Sequence, residues 1–164
     1  MQQMGVANQM NVTPTEIKRV LDLLVETPRR IRSASGSLAN ARLHSHSDEP
    51  AWSANDILAH LRSCADVWGK TIHAMLAKDN PTLPYVSPRS WIRKTDYPEL
   101  AFRASFQAFA QQRDELLNTL KSLGIEEWSR AALIKGREHT VFSQARRMAL
   151  HETEHCQQIE ALLK

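Results

Sequence analysis

Only five glycines and seven prolines interrupt the 164 residues, so turns are few and short strands joined by tight loops are not the expected architecture. No run approaches the roughly 20 apolar residues that a membrane span needs. Residues 1–12, MQQMGVANQMNV, lack the basic stretch and continuous apolar core of a secretory signal. They read as a frayed, disordered tail ahead of a single domain over residues 13–164. The two cysteines, Cys64 and Cys156, lie far apart in helical patterns and suggest no disulfide framework. Free buried thiols and a cytoplasmic location are expected. The net charge is only +3, and the densest basic clusters, Arg29, Arg30, Arg32 and Arg146, Arg147, read as solvated helix faces. That argues against a nucleic-acid partner, which needs a concentrated basic surface.

Helical periodicity is what fills the chain. Thr13 can cap a first helix, Pro14 suits its first position, and Glu16 can complete a capping box. Ile17, Val20, Leu21, Leu24 and Val25 follow at helical spacing, and Pro28 predicts a kink or a restart. Ser33 to Pro50 weakens toward a loop, with helix persisting to about Ala41. The second helix opens at Ser53 as N-cap, with Asp56 in its first turn and Trp52 and Ile57 placed as a hydrophobic staple. Ile57, Leu61, Cys64, Trp68, Ile72 and Met75 form its buried stripe, which runs to about Lys78. Residues 79–96 carry three prolines and read as a long crossover loop. Its Tyr85 and Trp91 either line a pocket or pack the loop onto the helices. A third helix is expected from near Asp96 or Tyr97, with Phe102, Phe106, Phe109, Arg113, Leu116, Leu117 and Leu120, and Gly124 at its C-terminal cap. A turn around Glu126–Trp128 and a loop at Gly136 lead to a fourth helix from about Thr140 to the end. The fold class is all-α, a four-helix bundle with the long connection between helices 2 and 3.

Chemistry concentrates in His151-Glu152-Thr153-Glu154-His155. Two histidines four apart share one helix face and can chelate a single metal. On a helical wheel both fall inside the stripe of Val141, Met148, Ile159 and Leu162, where each imidazole needs a polar partner. A metal satisfies both; neutral core histidines bonded to polar neighbours are the weaker alternative. The pattern also matches the HExxH of zinc proteases. Those enzymes take a third ligand downstream, and the sole candidate here, Glu160, projects to another face. The third ligand must come from upstream, and His60 borders the apolar face of the second helix. His44, His46, His73 and His139 are weaker. Cys64, one turn after His60, is either a softer ligand or a small buried residue.

Trp52-Ser53-x-x-Asp56-Ile57-Leu58-Ala59-His60-Leu61 and His151-x-x-x-His155-x-x-Gln158-Ile159 together resemble the DinB-like family of metal-binding four-helix bundles. Asp79-Asn80-Pro81-Thr82-Leu83-Pro84, Arg113 and the Glu127-Trp128 turn support the match. The resemblance implies an up-down-down-up bundle and a homodimer. It implies one divalent ion, zinc or nickel, on His60, His151 and His155, with a coordination position open to water or substrate. Some relatives are mycothiol-dependent maleylpyruvate isomerases or bacillithiol transferases, so a low-molecular-weight thiol is a candidate cofactor. The leading reading is therefore a metal-dependent, thiol-transferase-like enzyme acting on a small-molecule substrate. Glu152 is the candidate catalytic residue, orienting a ligand or shuttling a proton, against a solvated role. Arg113 is the candidate binder of a substrate anion, against a salt bridge inside the bundle. Gln158 is either a donor behind the ligands or plain packing. The rival readings are a non-catalytic metal-binding or stress-associated protein, and a dimerisation module whose histidines bind nothing.

Overall fold

The computed structural model describes residues 12–46 and 51–164. The expected tail thus lies, but for residue 12, outside the described residues. Four long helices dominate: α1 (Pro14–Ser35), α3 (Ala54–Ala77), α5 (Phe102–Lys121) and α6 (Val141–Leu162). Short helices α2 (Asn40–Leu43) and α4 (Pro88–Ile92) sit in the connections. Three strands, β1 (Thr82–Leu83), β2 (Ala131–Ile134) and β3 (Arg137–Thr140), form a small sheet. In it β1 pairs parallel with β2 and β2 pairs antiparallel with β3. Among the described residues no helix is long and apolar enough to cross a membrane.

Side-chain contacts fix the helix directions. Arg30 pairs with Glu160 and Cys156 lies against Thr27, so α1 and α6 run parallel. Arg113 reaches Leu24 while Arg32 lies over Phe106, so α5 opposes α1. Arg62 bonds Ser105 and Asp66 bonds Gln112, so α3 runs with α5. The bundle is up-down-down-up, with α1 opposite α3 and α5 opposite α6 across its centre.

Capping explains where three of the long helices begin. Thr13 with Glu16, Ser53 with Asp56, and Thr140 with Ser143 each form a reciprocal capping box. The start of α5 differs from the expectation at Asp96 or Tyr97. Tyr97–Glu99 is a 3-10 turn, Leu100 and Ala101 are extended, and Asn55 donates to the carbonyls of Pro98 and Leu100. Helix begins only at Phe102, whose N–H donates to His44 Nε2 from the preceding connection. Its other end also differs. Helix stops at Lys121, and Gly124, not in the left-handed region, donates its N–H to Glu127 instead of forming the cap.

Pro28 neither kinks α1 out of helix nor restarts it. A proline at 28 has no N–H to offer the Leu24 carbonyl one turn back. That carbonyl accepts instead from Arg113 Nη1 at 2.9 Å. The strands are a further departure from the expected loops. Lys135 and Gly136, both at positive φ (50° and 71°), make the two-residue turn between β2 and β3.

The core divides in two. One apolar cluster holds Val20, Leu24, Trp68, Leu116, Leu120 and Met148 among others. The second holds Ile31, Ile57, Leu61, Phe102, Phe109 and Ile159. On α1, α5 and α6 a buried polar residue sits between the two apolar sets, Thr27, Arg113 and Glu152, while on α3 the sets interleave at Leu61, Cys64 and Ala65 with half-buried His60 beside them. This belt positions the site.

Candidate metal centre

Glu152 and Arg113 occupy the middle of the belt. Each is almost wholly buried, at 1% and 2% exposure. Both guanidinium nitrogens Nη1 and Nη2 bond the carboxylate of Glu152, and Nη2 also lies 3.5 Å from Met148 Sδ. The buried face of α6 is therefore centred on Ala145, Met148, Glu152, Cys156 and Ile159. The histidines lie at its border, half-buried, and not inside the stripe. Of the two fates expected for Arg113 the structure shows the salt bridge inside the bundle, and Glu152, expected at a ligand or in solvent, is its buried partner. Glu152 spends both carboxylate oxygens on Arg113, and Arg113 spends Nη1 and Nη2 on Glu152 and Leu24, its buried Nε having no partner among the described residues, so the pair is closed off from solvent and from a substrate anion.

At the border the histidines from two helices meet. His60 Nε2, from the second turn of α3, stands 3.2 Å from His151 Nε2. His155 Nε2 stands 3.1 Å from the same atom. The ring centroids of His60 and His155 are 4.9 Å apart. Bound to zinc at about 2.0–2.1 Å in tetrahedral angles, imidazole nitrogens stand about 3.3–3.4 Å from one another, close to the two separations measured from His151 Nε2. Cys64 Sγ lies 3.6 Å from His60 Nε2, and donor atoms of His60, Cys64 and His151 all fall within 4.8 Å of one another.

Proton counting shows that the rings do not satisfy each other. His155 Nδ1 bonds the Gln158 side-chain oxygen at 2.7 Å, which places its proton there and a lone pair on Nε2. His151 Nε2 has one hydrogen at most, yet two imidazole nitrogens face it. Its Nδ1 is buried and has no partner among the described residues. A cation would use all three lone pairs at once. Electrostatics prepares them for it. Burial, followed by the repulsion that a protonated His155 would exert, pushes both His60 and His151 down to about 4, so both are neutral near pH 7. Arg89 acts further on His60, and His60 and Arg147 on His151. Burial, reinforced by Glu152, pushes the Cys64 thiol up to about 12.

Two tryptophans wall the cluster. Trp52 is not tucked away as a staple: it is 46% exposed, with its ring 5.2 Å from that of His60 and 6.4 Å from that of His155. Trp68 meets His151 edge-on at 5.1 Å. Two other histidines are engaged elsewhere, His44 at the start of α5 and His46 on Asp56 at 2.8 Å, while His73 and His139 line separate surface clefts. Glu160 is held by Arg30. A cleft of about 480 Å³ opens beyond Trp68, with Tyr85, Trp91 and Arg147 in its walls. Trp91 also donates its indole N–H to Asp66 of α3, so the connection both lines a pocket and packs onto the bundle.

Residues 23–159 match the family model of the DinB superfamily. The chain belongs to that superfamily. Among solved structures it is similar to YfiT from Bacillus subtilis, described as a probable metal-dependent hydrolase with an unusual four-helix bundle topology. The TM-score is 0.80 at 13% identity, covering 96% of this chain and 91% of that one. At such identity the likeness is one of fold. No curated protein sequence matches the chain.

Proposed function

We propose that this DinB-superfamily protein binds one divalent metal ion, zinc or nickel, through His60, His151 and His155, and uses it as an enzyme on a small-molecule substrate. The observation that carries the reading is the convergence of three imidazole Nε2 atoms with one proton too few to bond one another. The residues fit the group: neutral nitrogen donors from two capped helices, with Gln158 orienting His155 from behind. A bound divalent ion supplies Lewis acidity, lowering the pKa of a water or small thiol beside it. Water fits the hydrolase description of YfiT, and a thiol fits the resemblance to thiol transferases. The chain's own part is to hold the rings neutral, to screen them with Trp52 and Trp68, and to present the neighbouring cleft. A homodimer in the cytoplasm completes the reading; sedimentation velocity tests the first of these.

Cys64 supports a second reading. Its sulfur near His60 would close the fourth position and make the ion structural. Its burial opposes the thiolate that ligation requires. Elemental analysis of purified protein should find about one ion per chain, the stoichiometry of a single mononuclear site. His60→Ala should bring that close to zero while a helical circular-dichroism spectrum and cooperative melt remain, and Cys64→Ser should leave it unchanged. Absence of metal, with none taken up from added zinc or nickel, sinks the proposal. Loss of metal on Cys64→Ser favours the structural site.

A further inference from the structure

The cleft beyond Trp68 is one-sided in charge. Lys70, Lys135, Arg137 and Arg147 line it, and not one of its lining residues is acidic. Across the chain the two signs are nearly balanced, 21 basic against 18 acidic, so an unselected surface would mix them. None of these four cations forms a salt bridge with a described residue; three lie over aromatic rings instead. Lys70 Nζ is 4.0 Å from the Trp91 ring, Lys135 Nζ 3.9 Å from the Tyr85 ring, and the Arg147 guanidinium 4.9 Å from the Trp68 ring. Between them the walls are apolar, from Val67, Pro84, Val86 and Ile134. Gln144, 3% exposed, also lines the cleft, and its side-chain oxygen has no hydrogen-bond partner among the described residues.

We propose that this cleft binds a flat organic carboxylate, its anionic end held by the cations and its apolar body between the Trp68, Tyr85 and Trp91 rings. The ring contacts hold the cations against the walls without neutralising them, which leaves their charge for a ligand. Arg147 offers the planar pair of donors that a carboxylate accepts two at a time. Gln144 can exchange hydrogen bonds with a polar substituent on the ligand body, removing its own unmet need. Arg147 lies one turn before His151 on α6, and Trp68 touches both the cleft and the His151 ring. A carboxylate seated there would therefore extend toward the histidines. That such a ligand is the substrate rests on the metal-site reading; that the cleft binds it does not. The anion-binding role that the sequence suggests for Arg113 passes to residues that are free to perform it.

The test uses 2-naphthoate and its neutral counterpart 2-naphthamide, followed by tryptophan fluorescence and calorimetry. Both are run on protein as purified, on chelator-treated protein, and on His151→Ala. Saturable naphthoate binding is expected, roughly tenfold or more tighter than naphthamide because a charged hydrogen-bonded pair is lost with the amide. Arg147→Gln, at an exposed position that tolerates substitution, should cost naphthoate about tenfold and leave naphthamide unchanged. Chelation and His151→Ala should leave naphthoate affinity as it was. Equal affinity for the two probes, or no saturable binding, overturns the proposal. So does indifference to Arg147→Gln, or binding that vanishes with the ion, since the anion would then be a ligand of the metal. Naphthoate binding by protein that takes up no metal refutes the metal reading alone.

Discussion

At the scale of single residues, Glu152 shows how burial reassigns a side chain. Beside two histidines it invites a catalytic role, yet its carboxylate is closed off by Arg113 in the middle of the bundle. Removing one charge of such a pair leaves the other stranded in a low-dielectric core, which costs more than the intact pair contributes. Glu152→Gln should therefore lower stability by about 3 kcal/mol, read by urea unfolding, while metal content stays close to wild type. Arg113→Met with Glu152→Leu should recover most of that loss, because the two apolar clusters would then join across the belt. Loss of the ion from Glu152→Gln, with the fold intact, would return Glu152 to the metal centre.

Among the elements, each capped helix start is local, and local signals are legible. Thr13, Ser53 and Thr140 announce their helices because a cap and its partner lie three residues apart. His151 and His155 are legible as a pair for the same reason, one turn being a fixed distance. Contacts between distant segments leave no such mark. Arg113 and Glu152 are 39 residues apart, and Arg113 and Leu24 are 89. The capping of α5 by His44 spans 58. Strands of two and four residues are too short for alternation to declare itself. The cationic cleft is assembled from α3, the crossover, the hairpin turn and α6, and no one stretch of sequence reveals it. The cap on α3 carries its own expected outcome. Ser53→Ala removes the acceptor for the Asp56 N–H at the helix start and should cost about 1 kcal/mol. The urea midpoint should fall with an unchanged slope, and metal content should be preserved because His60 lies further along the helix. An unchanged midpoint would mean that packing alone holds this end.

For the whole molecule, the depressed histidines tie stability to acidity. His60 and His151 sit at about 4 in the folded chain, against the 6.5 of a free imidazole side chain. Between those values the unfolded chain takes up protons that the folded chain refuses, so stability falls as pH falls from about 6.5 toward 4. Ion-free protein should lose melting temperature across that window and show little further loss from these groups below it. Zinc should raise the melting temperature at neutral pH by favouring the native state, with the increment shrinking as protons compete for the nitrogens. His60→Ala should flatten the acid limb of the ion-free protein. A melting temperature constant from pH 7 to 4 would contradict the burial assigned to these rings.

Pro28 has a consequence for the order in which the chain assembles. A helix ordinarily closes its own ladder, each turn needing nothing but its neighbours. Here the rung between residues 24 and 28 is missing, and the group that replaces it arrives from α5. The N-terminal helix is thus completed only by a long-range encounter, the kind that slows folding because chain entropy is lost before the contact rewards it. The two halves of α1 can form early, but their union belongs with the docking of Arg113. That same event brings in Glu152 from α6 and places the face carrying His151 and His155 opposite α3. The pairing that completes the first helix is thereby a late checkpoint for the histidine cluster, which no helix of the bundle can build alone.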